Sequence, residues 1–112
     1  MRLLKLLMTL VLAVAAFGAD INGKWKSTIE FNGQSHDITY TFKVEGRKLT
    51  GTVTGPAGDY AITEGIVLGD EFTFSISTDE FDVGYKGTAV GDHLEITLKF
   101  GDNMIESIAK RP

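Results

Sequence analysis

The chain of 112 residues contains no cysteine, two prolines, two histidines and one tryptophan. Without cysteine there can be no disulfide, thiolate metal site, nucleophilic thiol or lipid-modified cysteine. Small domains in oxidising compartments often rely on disulfides, so here the apolar core must hold the fold alone. A zinc centre draws three or four converging N, S or O ligands, and the two histidines do not supply that set, so no metal is expected. There is no Gly-x-Ser-x-Gly, no P-loop and no dinucleotide fingerprint, and no cofactor is expected. Clustered Lys and Arg are also lacking. The formal charge is −4, which disfavours nucleic acid and anionic membranes as partners.

The one long apolar run lies at the start. Met1-Arg2 and Lys5 form a positive region, Leu6 to Phe17 form an apolar run of about a dozen residues, and small residues follow at Ala16-Phe17-Gly18-Ala19. This pattern reads as a signal peptide over residues 1–19, with cleavage after Ala16 or after Gly18. A membrane span needs roughly 20 apolar residues, so no membrane insertion is expected. The remaining residues, 20–112, are expected to form one domain, secreted or periplasmic. Without Arg2 and Lys5 the 11 basic residues become 9 against 15 acidic ones, a charge near −6.

What the sequence does contain is a repeat. Gly46-Arg47-Lys48-Leu49-Thr50-Gly51-Thr52-Val53 recurs in plan at Gly69-Asp70-Glu71-Phe72-Thr73-Phe74 and at Gly91-Asp92-His93-Leu94-Glu95-Ile96, with the leading glycines 23 and then 22 residues apart. The same interval backwards reaches Gly23. Each copy is a turn glycine followed by an alternating strand, so the unit is about one β-hairpin. Alternation predicts eight strands, at 24–31, 36–44, 48–55, 60–68, 71–77, 82–90, 93–100 and 104–110. Asn32-Gly33 accepts positive φ at both turn positions and marks the first hairpin. No segment of the domain has helical periodicity or a helix start signal.

Two strands break the pattern. In the fourth, one parity would send Glu64 inward with Ile62 and Ile66. A bulge near Glu64-Gly65 would resolve this and leave Ile62 and Val67 inside. In the eighth, Met104 and Ile108 oppose Ile105, Ser107 and Ala109, and the inward face is ambiguous. Gly51 and Gly55 fall on the inward parity of the third strand, implying either a sharp bend or large side chains opposite. The fold expected is all-β: an eight-stranded antiparallel up-and-down meander closed into a small barrel, since closure removes the exposed edges of an open sheet. Such a barrel has room for side chains or for one small ligand.

Asn22-Gly23-Lys24-Trp25-Lys26, a Gly-x-Trp on the first strand, resembles the start of calycin barrels, the group that includes lipocalins and avidin. The whole domain is similar to short secreted bacterial domains of this kind that generally carry no assigned activity. The resemblance implies a basic residue of the last strand packed across the tryptophan, and Lys110 or Arg111 stands in that place. The polar constellation that avidin uses for biotin has no counterpart.

Catalytic candidates are sparse. Glu64 and Glu106 are the acids expected nearest the interior, but their strands lie opposite each other. His36 and His93 begin strands at opposite rims. Asp79-Glu80-Phe81-Asp82 lacks the spaced ligands and glycine of a calcium loop and reads as a solvated turn. No enzyme activity is expected. Aromatics remain: Trp25, Tyr40, Phe42, Phe72, Phe74, Tyr85 and Phe100 all fall on inward parity. The expected function is binding of a small hydrophobic or sugar-like ligand inside the barrel, with Trp25, Tyr40 and Tyr85 lining the site. The alternative is a filled core serving as a structural or protein-interaction module of the cell envelope, without ligand or catalysis.

Overall fold

The computed structural model describes residues 20–112; the expected signal peptide and its cleavage points lie outside them. The described chain forms nine β segments: β1 (Gly23–Phe31), β2 (Gln34–Glu45), β3 (Lys48–Gly55), β4 (Gly58–Ala61), β5 (Thr63–Leu68), β6 (Glu71–Ser77), β7 (Asp82–Val90), β8 (His93–Phe100) and β9 (Asn103–Lys110). Sequential neighbours pair antiparallel except β4 and β5, which both pair with β3, and β1 returns to β9. Since β4 and β5 are one strand interrupted at Ile62, the barrel is the expected eight-stranded closed meander. No helix among the described residues is long and apolar enough to cross a membrane.

The repeat has a simple geometric origin. Gly46, Gly69 and Gly91 turn the chain with φ of 62°, 63° and 61°, the left-handed conformation that glycine adopts without penalty. One hairpin after each turn, the chain is back at the same end of the barrel. All three turns therefore lie beside the start of β1.

The interrupted strand contains the anticipated bulge. Thr52 faces Ala61, but Leu49 faces Gly65, and the register against β6 shifts between Thr63 and Ile66. One extra residue is absorbed with Glu64 at φ 53°. Side-chain parity flips there, so Ile62 and Val67 both pack on the core while Ile66 and Leu68 face out. In β9 the inward set is Ile105, Ser107 and Ala109; Met104 and Ile108 are exposed. Glu64 and Glu106, the acids expected nearest the interior, are both exposed: the anticipated bulge turns the first outward and the parity of β9 turns out the second.

Both explanations for the inward glycines occur, at different places. At Gly51 a Cβ would collide with the Thr41 carbonyl of the paired strand, so the close approach is backbone to backbone, at a bend. At Gly55 a Cβ would come 3.3 Å from the side chain of Ile38, and at Gly87 on β7 the volume is occupied by the ring of Phe72, its partner across the β6–β7 ladder. Tyr40, Phe42, Phe72, Phe74 and Tyr85 pack ring on ring, with Phe74 and Tyr85 stacked at 4.4 Å and Phe42 meeting Phe72 and Phe74 at 5.5 and 5.6 Å. These rings, with Leu49, Leu94 and Ile96, fill the middle of the barrel.

The end near the turn glycines is sealed. The Trp25 indole donates from Nε1 to the Ile21 carbonyl at 2.9 Å. The Arg111 guanidinium lies 4.1 Å from the centre of the Trp25 ring and donates to the carbonyls of Asn22 (2.8 Å) and Asp20 (3.0 Å). The basic residue that the resemblance places across the tryptophan is thus Arg111; Lys110 faces water. Gly23, at φ 106°, sits where any Cβ would come within 3.0 Å of the Arg111 guanidinium. That accounts for glycine two residues before the tryptophan. Asn22 adds a side-chain acceptor for the Val44 amide at 2.8 Å, tying the lead-in to β2.

Replacing Arg111 removes a cation–π contact and two charge-assisted hydrogen bonds together. Arg111→Ala is expected to lose roughly 2–4 kcal/mol in urea unfolding. Arg111→Lys should recover about half at most, because one ammonium cannot reach both carbonyls while stacked on the indole.

Candidate ligand-binding site

The opposite end of the barrel is open. Here β1, β3, β6 and β8 end and β2, β4, β7 and β9 begin, and the side chains below the rim enclose a cavity of about 420 Å³. Ile29 and Ile38 form one wall, Val53 and Ile76 the others, and Tyr85 the floor, with Phe31, Tyr60 and Phe81 around the mouth. Ligand pockets commonly span about 300–1,000 Å³ with mainly apolar walls and a few polar groups, and this cavity has that character. His36 and the two tyrosines are its only titratable lining groups.

Local sequence sets the rim. In the turn between β6 and β7, the Thr78 hydroxyl accepts from the amides of Glu80 (3.1 Å) and Phe81 (3.0 Å), while the Thr78 amide donates to the Phe81 carbonyl at 2.8 Å. The backbone is satisfied by the threonine, as in other turns of this kind, and Phe81 is tipped over the mouth. Its ring meets Tyr60 at 5.7 Å and Phe100 at 6.0 Å, and Phe100 meets Phe31 at 6.4 Å. An aromatic arc therefore borders the opening. Phe100 corrects the sequence reading: it has inward parity, but as the last residue of β8 it lies at the rim, 37% exposed. The turn 79–82 is acidic and solvated as expected except for Phe81, which the sequence reading left out of the site. Its signal is a lone aromatic three residues after a threonine in an otherwise acidic turn.

The three residues expected to line the site occupy three levels. Tyr85 lines the cavity. Tyr40 lies beneath it, wholly buried, with its ring 6.2 Å from that of Tyr85. Trp25 is at the sealed end and has no part in this cavity. The histidines are also apart, His36 at the mouth and His93 at the sealed end.

Burial governs the electrostatics. Desolvation pushes the Tyr85 hydroxyl up to about 12 and raises Tyr40 further, with the neighbouring Tyr85 adding to the effect. The floor is a place where negative charge is disfavoured. Apolar contact and neutral hydroxyls suit holding a molecule, and the cavity walls hold no pair of acids for proton transfer.

No family profile matches the chain, and no curated protein matches it in sequence. Among solved structures, the fatty-acid-binding protein isolated from Manduca sexta superposes with a TM-score of 0.55 at 18% identity, covering 82% of this chain and 100% of that one. A single-site mutant of the fluorescent protein UnaG superposes with a TM-score of 0.53 at 14% identity, covering 82% and 96%. At these identities the likeness is one of fold, and a calycin-like barrel fits it.

The buried tyrosines give a pH dependence. Unfolded tyrosine ionises near pH 10, whereas Tyr85 in the fold holds its proton to about 12 and Tyr40 holds it longer. Between these values the unfolded state binds fewer protons, so stability is complete below pH 10 and falls as pH rises through 10–12. Urea unfolding at pH 9 and pH 11 should show the loss, and Tyr40→Phe with Tyr85→Phe should flatten it.

Proposed function

We propose that this protein binds a small hydrophobic molecule in the mouth of its barrel. The observation that carries the reading is the apolar cavity of about 420 Å³, bordered by Phe31, Tyr60 and Phe81, with Phe100 packed behind Phe31 and Phe81, at the open end of an otherwise filled barrel. The fatty-acid-binding protein with the same fold supports a hydrophobic ligand. A sugar-like ligand is less well matched, because the walls offer few hydrogen-bonding side chains. We place the activity outside the cytoplasm, secreted or periplasmic, on the strength of the signal-peptide pattern in residues 1–19, and read the protein as a binder with no catalysis.

One observation favours the alternative. The five-ring core leaves the sealed half of the barrel solid, as a ligand-free interaction module would be. The two readings differ in what the mouth does.

Native mass spectrometry of the protein purified from its own host should show a reproducible adduct that disappears on denaturation. Titration with the uncharged fluorophore N-phenyl-1-naphthylamine should show saturable uptake. Ile29→Trp, which fills the cavity, should abolish that uptake in a folded protein, and Phe81→Ala should weaken it roughly five- to tenfold. A bare mass with no uptake would establish the filled barrel instead.

A further inference from the structure

The two ends of the barrel differ in charge. The segments that border the mouth, residues 30–36, 54–60, 77–82 and 100–103, carry Glu30, Asp59, Asp79, Glu80, Asp82 and Asp102, all exposed, and no lysine or arginine. At the sealed end Arg47, Lys48 and Arg111 offset Asp70, Glu71 and Asp92. The ion pairs among the described residues are Lys43 with Glu45 and His93 with Asp92 and Glu95, so they neutralise none of the six acids at the mouth. Lys99, just outside these segments, faces out from the wall of β8.

The acids are interleaved with the aromatic arc. Glu30 precedes Phe31, Asp59 precedes Tyr60, and Glu80 and Asp82 flank Phe81; these three rings line the cavity. Consecutive Cα atoms are about 3.8 Å apart, so each ring has a carboxylate within roughly 10 Å. Aromatic faces attract cations, and quaternary ammonium groups are recognised in this way. A rim of one sign around low-dielectric walls concentrates ions of the other sign. An anion meets the reverse of both. The cavity lining has no lysine or arginine to pair with it, and His36 is its one nitrogen-bearing side chain.

We propose that the mouth selects amphiphilic cations: the apolar body of the ligand fills the cup, and its ammonium group rests at the rim against Phe31, Tyr60 and Phe81, inside the ring of carboxylates. This rests on the mouth being a hydrophobic binding site. The positive charge stays where water reaches it, so the binding buries apolar surface and avoids the large cost of burying an ion. A carboxylate on the same alkyl chain is repelled at the rim, and further in it finds no partner of opposite charge. Tyr85 at the floor keeps its proton to about 12 and offers an anion no compensation.

The test is displacement of N-phenyl-1-naphthylamine from the full barrel at pH 8 by decyltrimethylammonium and by decanoate, both below micelle formation. In about 0.01 M salt, where charges act over about 30 Å, the cation is expected to bind about tenfold more tightly than the acid. In about 1 M salt, where they act over about 3 Å, the preference should shrink to about threefold, the share of the rings. Glu30→Gln, Glu80→Gln and Asp82→Asn together should cut the low-salt preference at least by half, with saturable fluorophore uptake showing that the cup is intact. Phe31→Leu keeps an apolar wall and should weaken the cation roughly two- to fivefold, and the acid less. Equal affinity for the two, tighter binding of decanoate, a preference unmoved by salt or by the triple variant, or an equal loss of both ligands in Phe31→Leu would overturn the proposal while the mouth reading stands. Failure of the wild type to take up the fluorophore would overturn the mouth reading, and this proposal with it.

Discussion

The structure depends on closing the sheet, and closure is achieved unequally along the β1–β9 seam. Two ladder pairs join the first and last strands; beyond them, at the sealed end, Arg111 reaches back across Trp25 to the carbonyls of Asp20 and Asn22. A guanidinium stacked on an indole at an exposed site is worth about 0.5–1 kcal/mol, and each charge-assisted hydrogen bond adds to it. The contact links residues 86 positions apart in sequence, so it forms only when the meander is complete. No disulfide shares this task. With the sealed end fixed by side chains, the strands at the other end can separate without opening the sheet as a whole.

Whether such a barrel is filled or hollow turns out to depend on height along its axis. An eight-stranded barrel is narrow enough for side chains to fill it, and the five central rings do so. The mouth is different because the inward residues there are the aliphatic Ile29, Ile38, Val53 and Ile76, which reach less far across than the aromatics below. The loop at 55–58 and the turn carrying Phe81 then stand above them. A solid floor and a cup are thus consequences of one sequence gradient, aromatic at mid-barrel and aliphatic towards the rim.

Much of this was legible in the sequence because a strand has a period of two. Alternation located every strand, and its failure at Glu64 located the bulge, since an outward acid cannot take an inward place without an extra residue. The resemblance of Gly23-Lys24-Trp25 to the start of calycin barrels implied a closing cation, and it did not decide between Lys110 and Arg111. Parity states whether a residue points in, but not how far along the axis it lies. That is why Trp25, Tyr40 and Tyr85, all inward, proved to occupy three separate levels, and why Phe100 belongs to the rim. Phe81 was missed because a turn has no parity. The parting of β1 from β9 was invisible because pairing between chain ends leaves no local pattern.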